Sequence, residues 1–340
     1  MATENKAAWI PAKGKQLAVG PADFPKPAAG EVIVQNHALA INPVDWMIQE
    51  HGFPGKRWPT ILGNDLAGVV VGVGEGVADI SKGQRVLGHA MGLLKGDAKY
   101  SAFQSYTVIP SNAVSPIPDD MAFEAAAVLP LCTSTAAAGL FGTNMLGLPF
   151  PSAIPKLTGK TVIIWAGSTS VGSCAIQLAV AAGFSVITTA SAKNIDHCLK
   201  LGATKAFDYS SPVVVEDIVA GLGNAEVVGA YDAIGLMESE HKIAKILTKF
   251  GGGFIANVLE PPSDLPAGVT SKQAIAPFIF TEQKAVGKAI YQDFLPFALS
   301  SGQYKPAPQP NVVGHGLESL QKAMDTLRKG VSATKLVVTL

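Results

Sequence analysis

The sequence is poor in charged residues. Only 15% of its 340 residues are Asp, Glu, Lys or Arg, whereas an average soluble domain has roughly 25%. The 26 basic and 26 acidic residues cancel, and they form no basic block. Nucleic acids and anionic membranes attract proteins through such blocks. We therefore expect neither a nucleic acid nor a membrane as partner.

Cysteine is also scarce. Cys132, Cys174 and Cys198 lie far apart and form no CxxC motif, which excludes a disulfide scaffold and favours a reducing compartment. The first nine residues lack the apolar segment of a signal peptide. Prolines interrupt the uncharged stretch Ala125–Pro155, and a Gly-Ser-Thr-Ser turn interrupts Thr161–Ala192, so neither resembles a membrane span of about 20 apolar residues. We expect a cytoplasmic protein.

The chain is long enough for about two domains of roughly 100–200 residues. Up to about residue 117 it alternates turns with segments rich in β-branched and aromatic residues, such as Glu31–Ile41 and Leu66–Val73. This pattern predicts an all-β domain. From about residue 123 strand-like and helix-like segments alternate, as in Val162–Trp165, Val171–Ala182 and Val186–Thr189. We predict an α/β protein in which the second domain is a doubly wound parallel sheet.

The most informative motif is a glycine-rich turn between a strand and a helix. Residues 161–173 read TVIIWAGSTSVGS, a variant of GxGxxG with threonine at the middle glycine position. Small residues let backbone N–H groups approach a pyrophosphate, and the helix N-terminus adds partial positive charge. A Walker A loop is excluded because Ser173-Cys174 stands where Lys-Ser/Thr is required. The alternative is a turn that binds nothing. The predicted dinucleotide-binding residues are Gly167, Ser168, Thr169, Ser170, Val171 and Gly172.

The end of the next strand predicts which nucleotide is bound. A site for NAD carries Asp or Glu about 20 residues beyond the turn, but residues 188–194 read TTASAKN. Ser191, Lys193 and Asn194 offer donors and positive charge for a 2′-phosphate, and Tyr209 ends the following strand. We predict a preference for NADP (NADPH). Alternatively, Ser191 is a helix cap, Lys193 a solvated charge and Tyr209 a packing aromatic.

Several motifs together resemble the medium-chain dehydrogenase/reductase superfamily. They are Asn42-Pro43-Val44-Asp45-Trp46, LGNDLAGVV at 62–70, AAVLP at 126–130, the glycine turn and LGA at 201–203. Asp208-Tyr209 and the ending GVSATKLVV at 330–338 resemble the fungal zinc-free branch, which contains trans-enoyl reductases and ToxD- and CipB-like oxidoreductases. Zeta-crystallin-type quinone reductases are more distantly similar.

The resemblance implies three segments: a GroES-like catalytic domain at 1–125, a Rossmann NADP-binding domain at 126–276, and a segment at 277–340 that completes the catalytic domain. It leaves a homodimer or a monomer open. Further cofactor contacts that it implies are Pro43, Val44, Thr135, Ile234, Val258, Leu259, Val331 and Ser332. Substrate contacts that it implies are Leu131, Cys132, Thr133 and Ser134.

The positions at which zinc-dependent members carry ligands hold other residues here. The early position lies within Asn42–Asp45, the second reads Gly63-Asn64-Asp65, and Cys132 alone remains near the third. Zinc requires three or four thiolate, imidazole or carboxylate ligands. We therefore predict that no metal is bound.

Without a metal, reduction of a conjugated C=C is the favoured chemistry, because the product is a delocalised enolate that needs only hydrogen-bond donors. We predict a zinc-independent reductase of a small α,β-unsaturated carbonyl or enoyl thioester. A quinone reductase and a dinucleotide-binding accessory protein with little turnover remain as alternatives. The catalytic candidates are Asn42, Asp45 and Tyr106, with Tyr100 or water as other proton donors. Asn42 and Asp45 could instead only cap a turn.

Overall fold

The computed structural model describes residues 4–53 and 58–340. It contains two compact units: unit one is Met1–Leu131 with Gln309–Leu340, and unit two is Cys132–Pro308. The C-terminal segment predicted at 277–340 is thus divided, since residues 277–308 belong to unit two. One reason is hydrogen bonding, because the hydroxyl groups of Tyr291 and Tyr304 bond to Ser134 and Thr133, which also belong to unit two.

Unit one is built mainly from antiparallel strands. Its first elements are β1 (Asn5–Ile10), β2 (Ala18–Ala22), β3 (Glu31–Ala40), α1 (Pro43–His51), β4 (Thr60–Ile61), β5 (Asp65–Val73), β6 (Arg85–His89), α2 (Gly92–Lys95), β7 (Tyr106–Pro110), β8 (Val114–Pro116) and α3 (Phe123–Ala127). β1 pairs with β2 and β4, whereas β3, β5, β6 and β8 follow one another in a larger sheet, with β7 also paired to β3. The long strand β3 is buried along most of its length. The predicted GroES-like all-β domain is confirmed.

Unit two alternates strands and helices. Its elements are α4 (Pro130–Phe141, beginning at the end of unit one), β9 (Lys160–Trp165), α5 (Ser170–Ala181), β10 (Ser185–Ala190), α6 (Ile195–Lys200), β11 (Lys205–Asp208), α7 (Val214–Leu222), β12 (Glu226–Asp232), α8 (Met237–Thr248), β13 (Gly253–Asn257), β14 (Val269–Gln273), α9 (Lys284–Gly287), a π-helical stretch (Lys288–Phe294) and α10 (Leu295–Ser300). The strands form a parallel sheet in the order β11-β10-β9-β12-β13-β14. This is the predicted doubly wound sheet. Its order reverses between β9 and β12, and ligands of such sheets bind at the carboxyl ends of the strands near that reversal.

The chain then returns to unit one through β15 (Gln309–His315), α11 (Leu320–Arg328) and β16 (Thr334–Thr339). β16 pairs in parallel with β15 and antiparallel with β3, where Val338 lies opposite Leu39. This pairing places the side chain of Lys335 inside unit one, where it is only 4% exposed. A lysine is rarely buried to this extent without a charged partner.

One stretch of the described residues, Phe123–Phe141, is long and apolar enough to cross a membrane. However, 78% of an 18-residue segment within it is buried inside the protein, as is usual for a core helix. The other uncharged stretch, Thr161–Ala192, is folded as strand β9, a turn, helix α5 and strand β10.

Candidate active site

The glycine turn lies between β9 and α5, as predicted. Thr169 caps the helix: its Oγ1 accepts a hydrogen bond from the N–H of Gly172 at 3.0 Å and donates one to the carbonyl of Ala166 at 2.9 Å. A Cβ atom at Gly172 would lie 2.2 Å from that carbonyl oxygen and 2.7 Å from the Cα of Gly167. Only glycine at this position lets the helix begin so close to the strand.

The first turn of α5 retains the capacity to bind an anion. Within the described part of the chain, the backbone N–H groups of Ser170 and Val171 have no acceptor, and both residues are half-buried. N–H groups at the start of a helix, together with the helix dipole, bind phosphate. The turn therefore fits the pyrophosphate of a dinucleotide.

The four residues predicted to contact a 2′-phosphate lie at one edge of the sheet. The N–H of Tyr209 donates to the carbonyl of Ala190 at the end of β10, at 3.1 Å. The amide of Asn194 donates to Ser191 Oγ at 3.0 Å. Lys193 is exposed, and Tyr209 is 47% exposed. Neighbouring parallel strands thus bring one positive charge and two hydroxyl groups together.

A carboxylate that the sequence reasoning did not consider also lies at this edge. Asp208, the last residue of β11, accepts hydrogen bonds from the backbone N–H and the hydroxyl of Ser210, at 2.9 and 2.8 Å. These bonds, and a further one from the N–H of Ala192, lower the pKa of Asp208. Its charge is therefore present at neutral pH.

The cofactor contacts implied beyond β12 and β13 lie in two short loops. Ile234 and Leu259 are 37% and 40% exposed, and Val258 is half-buried. Asp232, which the sequence reasoning missed, is 0% exposed and accepts the N–H of Ile234 at 3.0 Å. The missed signal was an acidic residue at the end of an apolar strand.

In unit one, Asn42 and Asp45 do cap a helix, which was the structural alternative in the sequence reasoning. The N–H of Asn42 donates to Asp45 Oδ2 at 2.8 Å at the start of α1. Their other atoms are bonded too: Asn64 Nδ2 donates to Asp45 Oδ1 at 3.1 Å, and Asn42 Nδ2 donates to Asp65 Oδ2 at 2.8 Å. All four residues are buried.

Lys335 completes this network. Its Nζ lies 3.0 Å from Asp65 Oδ2 and also donates to Asn42 Oδ1. The other carboxylate oxygen of Asp65 accepts the N–H of Leu131, in the first turn of α4, at 2.6 Å. We call Asn42, Asp45, Asn64, Asp65 and Lys335 the buried network. The sequence reasoning missed Lys335, because nothing in a C-terminal strand indicates that its lysine pairs with an acid 270 positions away.

Burial dominates the ionisation of this region. The pKa of Asp45 is raised to about 7. Burial is the main cause and the charge of Asp65 acts in the same direction, whereas hydrogen bonds from the backbone and the charge of Lys335 act against the rise. Burial also lowers the pKa of His89 to about 4, against the influence of Asp65. His89 lies opposite Asp65 in the register of β5 and β6.

Two of the α4 side chains predicted to contact substrate are hydrogen-bonded to tyrosines of unit two. Thr133 Oγ1 lies 2.9 Å from the hydroxyl of Tyr304, and Ser134 Oγ lies 2.7 Å from the hydroxyl of Tyr291. Both α4 residues are 0% exposed. Leu131 and Thr135 are half-buried, and the carbonyl of Thr135 accepts the hydroxyl of Tyr231 at 2.8 Å.

Two cysteines that are far apart in sequence lie together. Cys132 and Cys174 are both buried and not joined in a disulfide, and their sulfur atoms lie 3.1 Å apart. The three positions matched to zinc ligands thus hold the amides of Asn42 and Asn64, both in the buried network, and the thiol of Cys132. Among residues 4–53 and 58–340, no group of three or more His, Cys, Asp or Glu could hold a metal ion. These residues do not fit a zinc site.

The predicted tyrosines lie away from the buried network. Tyr100 is 8% exposed and donates to Glu31 Oε1 at 2.8 Å. Tyr106 packs on Phe24, with ring centroids 4.9 Å apart. In the described structure no hydrogen bond joins either tyrosine to Asn42 or its partners.

Four implied cofactor contacts belong to unit one, whereas the glycine turn belongs to unit two. Pro43 is exposed and Val44 half-buried in the first turn of α1. Val331 and Ser332 are exposed in the loop before β16.

Comparison with known proteins identifies the family. Residues 28–119 match the alcohol dehydrogenase GroES-like domain, and residues 170–293 match the zinc-binding dehydrogenase family. The chain is 42% identical to a zinc-binding alcohol dehydrogenase domain-containing protein, CipB, of Emericella nidulans, over 99% of this chain and 98% of that protein. It is 40% identical to the trans-enoyl reductase HimH of Aspergillus japonicus, over 98% of this chain and 97% of that protein.

Solved structures show the same fold. An alcohol dehydrogenase superfamily protein from Novosphingobium aromaticivorans superposes with a TM-score of 0.80 at 24% identity, covering 99% of this chain and all of that one. A GroES-like unit joined to a dinucleotide-type parallel sheet defines an oxidoreductase class. The chain belongs to the medium-chain dehydrogenase/reductase superfamily, and its similarity to fungal trans-enoyl reductases and CipB confirms the relatives that the sequence motifs indicated.

Proposed function

We propose that the chain is an NADPH-dependent, zinc-independent reductase of the conjugated C=C of α,β-unsaturated carbonyls or enoyl thioesters. One observation carries the cofactor assignment. The carboxyl edge of β9, β10 and β11 brings the available N–H groups of the glycine turn together with Ser191, Lys193 and Tyr209.

In this proposal different residues of unit two bind different parts of the cofactor. The N–H groups of Ser170 and Val171 bind the pyrophosphate, and Lys193 and Tyr209 bind the 2′-phosphate. When bound, the reduced nicotinamide supplies the hydride. Asp208 is bonded to Ser210 and lies close enough to the N–H of Ala192 for that group to lower its pKa, so it helps to orient the 192–194 turn.

The reaction class rests on the relatives and on the buried network. Curated relatives at 40% and 34% identity over nearly the whole chain are named trans-enoyl reductases. In this chain the cation beside Asn42 and Asp65 is the ammonium group of Lys335. An enolate needs hydrogen-bond donors more than a Lewis acid, so a chain in which this cation is a fully bonded lysine and not a metal favours reduction of a conjugated C=C.

The buried network positions backbone rather than donating a proton to the substrate. The amide of Asn42 is used by Asp65 and Lys335, and the network holds the first turns of α1 and α4. Because Tyr100 bonds Glu31 and Tyr106 packs on Phe24, we propose that water supplies the proton.

The test is one panel of assays with the purified protein. Oxidation of NADPH and of NADH is followed with a crotonyl thioester, an enone, a quinone and a simple aldehyde, each with and without chelator. We expect turnover of the conjugated thioester or enone and at least a tenfold preference for NADPH, or about 1.4 kcal/mol, unchanged by chelator. Equal use of NADH would refute the cofactor assignment. Loss of activity with chelator and its return with zinc would refute zinc independence. Cofactor binding without turnover of any acceptor would favour an accessory protein.

A further inference from the structure

Helix α8 is bonded to both strands that precede the exposed loops of the sheet edge. Asp232 ends β12 and Asn257 ends β13, and the two residues are paired neighbours in the register. Asp232 accepts a hydrogen bond from Ser239, and Asn257 donates one to Glu240; Ser239 and Glu240 both lie in the first turn of α8. All four side chains are buried, with 0 to 4% exposure.

The first connection runs through Asp232. Its Oδ1 accepts the N–H groups of Ile234 and Gly235, at 3.0 and 3.1 Å. Its Oδ2 accepts the hydroxyl of Ser239 at 2.5 Å. The carboxylate therefore fixes the loop after β12 on one side, while α8 holds the carboxylate on the other.

The second connection runs through Asn257. Its Oδ1 accepts the N–H of Leu259 at 3.1 Å, which fixes the loop after β13. Its Nδ2 donates to Glu240 Oε2. Because the oxygen and the nitrogen of an amide lie on different sides of its carbon, the bond from the nitrogen to Glu240 leaves the oxygen of Asn257 facing the loop.

The two loops also depend on one another. Gly235 has a positive φ of 71°. A Cβ atom there would lie 2.8 Å from Asn257 Oδ1 and 2.9 Å from the Cβ of Leu259. A shift of either loop is therefore transmitted to the other, because no space separates them.

Stability alone explains Glu240 poorly. Its second oxygen, Oε1, and the hydroxyl of Ser271 are buried without a well-formed hydrogen bond among the described residues, although Ser271 is close enough to lower the pKa of Glu240. Burial raises the pKa of Glu240, and the charge of Asp232 adds to this rise. A buried and incompletely bonded carboxyl group destabilises a fold, so an apolar residue would suit the core better.

We propose that Ser239 and Glu240 are positioning residues of the cofactor site. Through Asp232 and Asn257 they set the backbone at 234–235 and 258–259, where the nicotinamide half of the dinucleotide is expected to bind. This inference rests on the proposed function. In this inference α8 contributes to the affinity for the cofactor without contacting it, because it holds the backbone segments that do.

The first test needs no cofactor. Hydrogen exchange of the N–H groups of Ile234, Gly235 and Leu259 is compared among the wild type, S239A, E240L and E240Q, with E238Q as the control. Glu238 lies on the same helix, but its side chain is 78% exposed. We expect about tenfold faster exchange at Leu259 in E240L and at Ile234 and Gly235 in S239A, with E240Q and E238Q near the wild type. Unchanged exchange in both S239A and E240L would refute the proposal.

The second test separates positioning from general loosening. The affinity of each variant is measured for NADPH and for adenosine 2′,5′-bisphosphate, which lacks the nicotinamide half and so does not reach the loops after β12 and β13. We expect E240L to bind NADPH about tenfold more weakly than the wild type, or about 1.4 kcal/mol. It should bind the bisphosphate within twofold of the wild type. E240Q should have the NADPH affinity of the wild type. A parallel loss of both ligands would show a merely structural role and overturn the proposal. If E240L does not fold, S239A decides by the same criteria.

The failures of the two proposals can be told apart. A wild type that binds neither NADPH nor NADH refutes the proposed function, while hydrogen exchange still tests how α8 holds the loops. A wild type that binds NADPH, with affinity unchanged in S239A and E240L, refutes only the positioning role.

Discussion

The polar side chains of the candidate site are buried and bonded to one another in unit one but exposed at the sheet edge of unit two. In unit one, Asp65 and Lys335 are 0% and 4% exposed and bond to each other and to Asn42. At the edge of unit two, Lys193 and Tyr209 are exposed, and the N–H groups of Ser170 and Val171 have no acceptor among the described residues.

This difference separates groups that support a site from groups that bind a ligand. Charges buried at a fixed distance hold backbone segments in place but have no bonding capacity left to offer. Exposed donors at helix starts and strand ends bind an incoming anion. We therefore expect substitutions in the buried network to change stability most, and substitutions at the edge to change affinity.

The largest effect is expected from Lys335→Met. Removing the ammonium group leaves Asp65 as a buried carboxylate without its counter-ion, which costs about 3–5 kcal/mol of the free energy of unfolding. Urea denaturation measures the loss. The control is Lys99→Met, whose exposed pair with Asp97 spans 3.9 Å and should contribute less than about 1 kcal/mol. Similar small losses in both variants would contradict the distinction between the units.

The next effect concerns how stability depends on pH. The pKa of Asp45 rises from 3.8 in the unfolded chain to about 7 in the folded one, so its contribution is complete below pH 4 and is lost as the pH rises towards 7. The pKa of His89 falls from 6.5 to about 4. Its contribution therefore has the opposite sign between pH 4 and 6.5 and masks that of Asp45.

Comparison of Asp45→Asn with the wild type isolates the contribution of Asp45, because the contribution of His89 cancels in the difference. The difference in free energy of unfolding between the variant and the wild type should increase with pH, by up to about 1.4 kcal/mol per unit, between about pH 4 and 7. Denaturation at several pH values measures the slope, which is independent of any constant offset caused by the amide. A difference that stays constant from pH 4 to 7 would show that Asp45 ionises normally.

A smaller effect is expected at the edge of unit two. Lys193→Glu should raise the KM for NADPH at least tenfold, or about 1.4 kcal/mol, because a carboxylate repels the 2′-phosphate. We expect kcat to change little, since this phosphate is remote from the transferred hydride. Steady-state kinetics with NADPH and NADH measure both constants. Lys200→Glu makes the same charge change on the neighbouring helix α6, and an equal effect there would point to long-range electrostatics rather than a contact.

The smallest effect is expected from Tyr106→Phe. Its ring packs on Phe24 and its N–H donates to Asn5, and the substitution retains both contacts. We expect kcat to stay within about twofold of the wild type, whereas loss of a positioned acid costs about 10²–10⁴. A tenfold or greater fall in kcat would make Tyr106 the proton donor and refute the assignment of that role to water.

Local patterns predicted what depends on neighbours in the chain. The glycine turn, the helix after it and the absence of a carboxylate at 188–194 all lie within about one strand–helix–strand unit, whose spacing is set by backbone geometry. The division of 277–340 could not be predicted in the same way. Which unit holds Tyr291 and Tyr304 depends on hydroxyl groups far away in sequence, those of Ser134 and Thr133.

The sequence by itself thus determined the two fold classes and the position of the dinucleotide turn, because hydrophobic periodicity and turn chemistry are local properties. Only the tertiary structure decided the partners of the buried charges. Lys335 meets Asp65 because β16 returns to β3, and Glu240 meets Asn257 because α8 packs beside β13. Such pairs follow from strand order and burial, which bring together residues that no spacing in the chain relates.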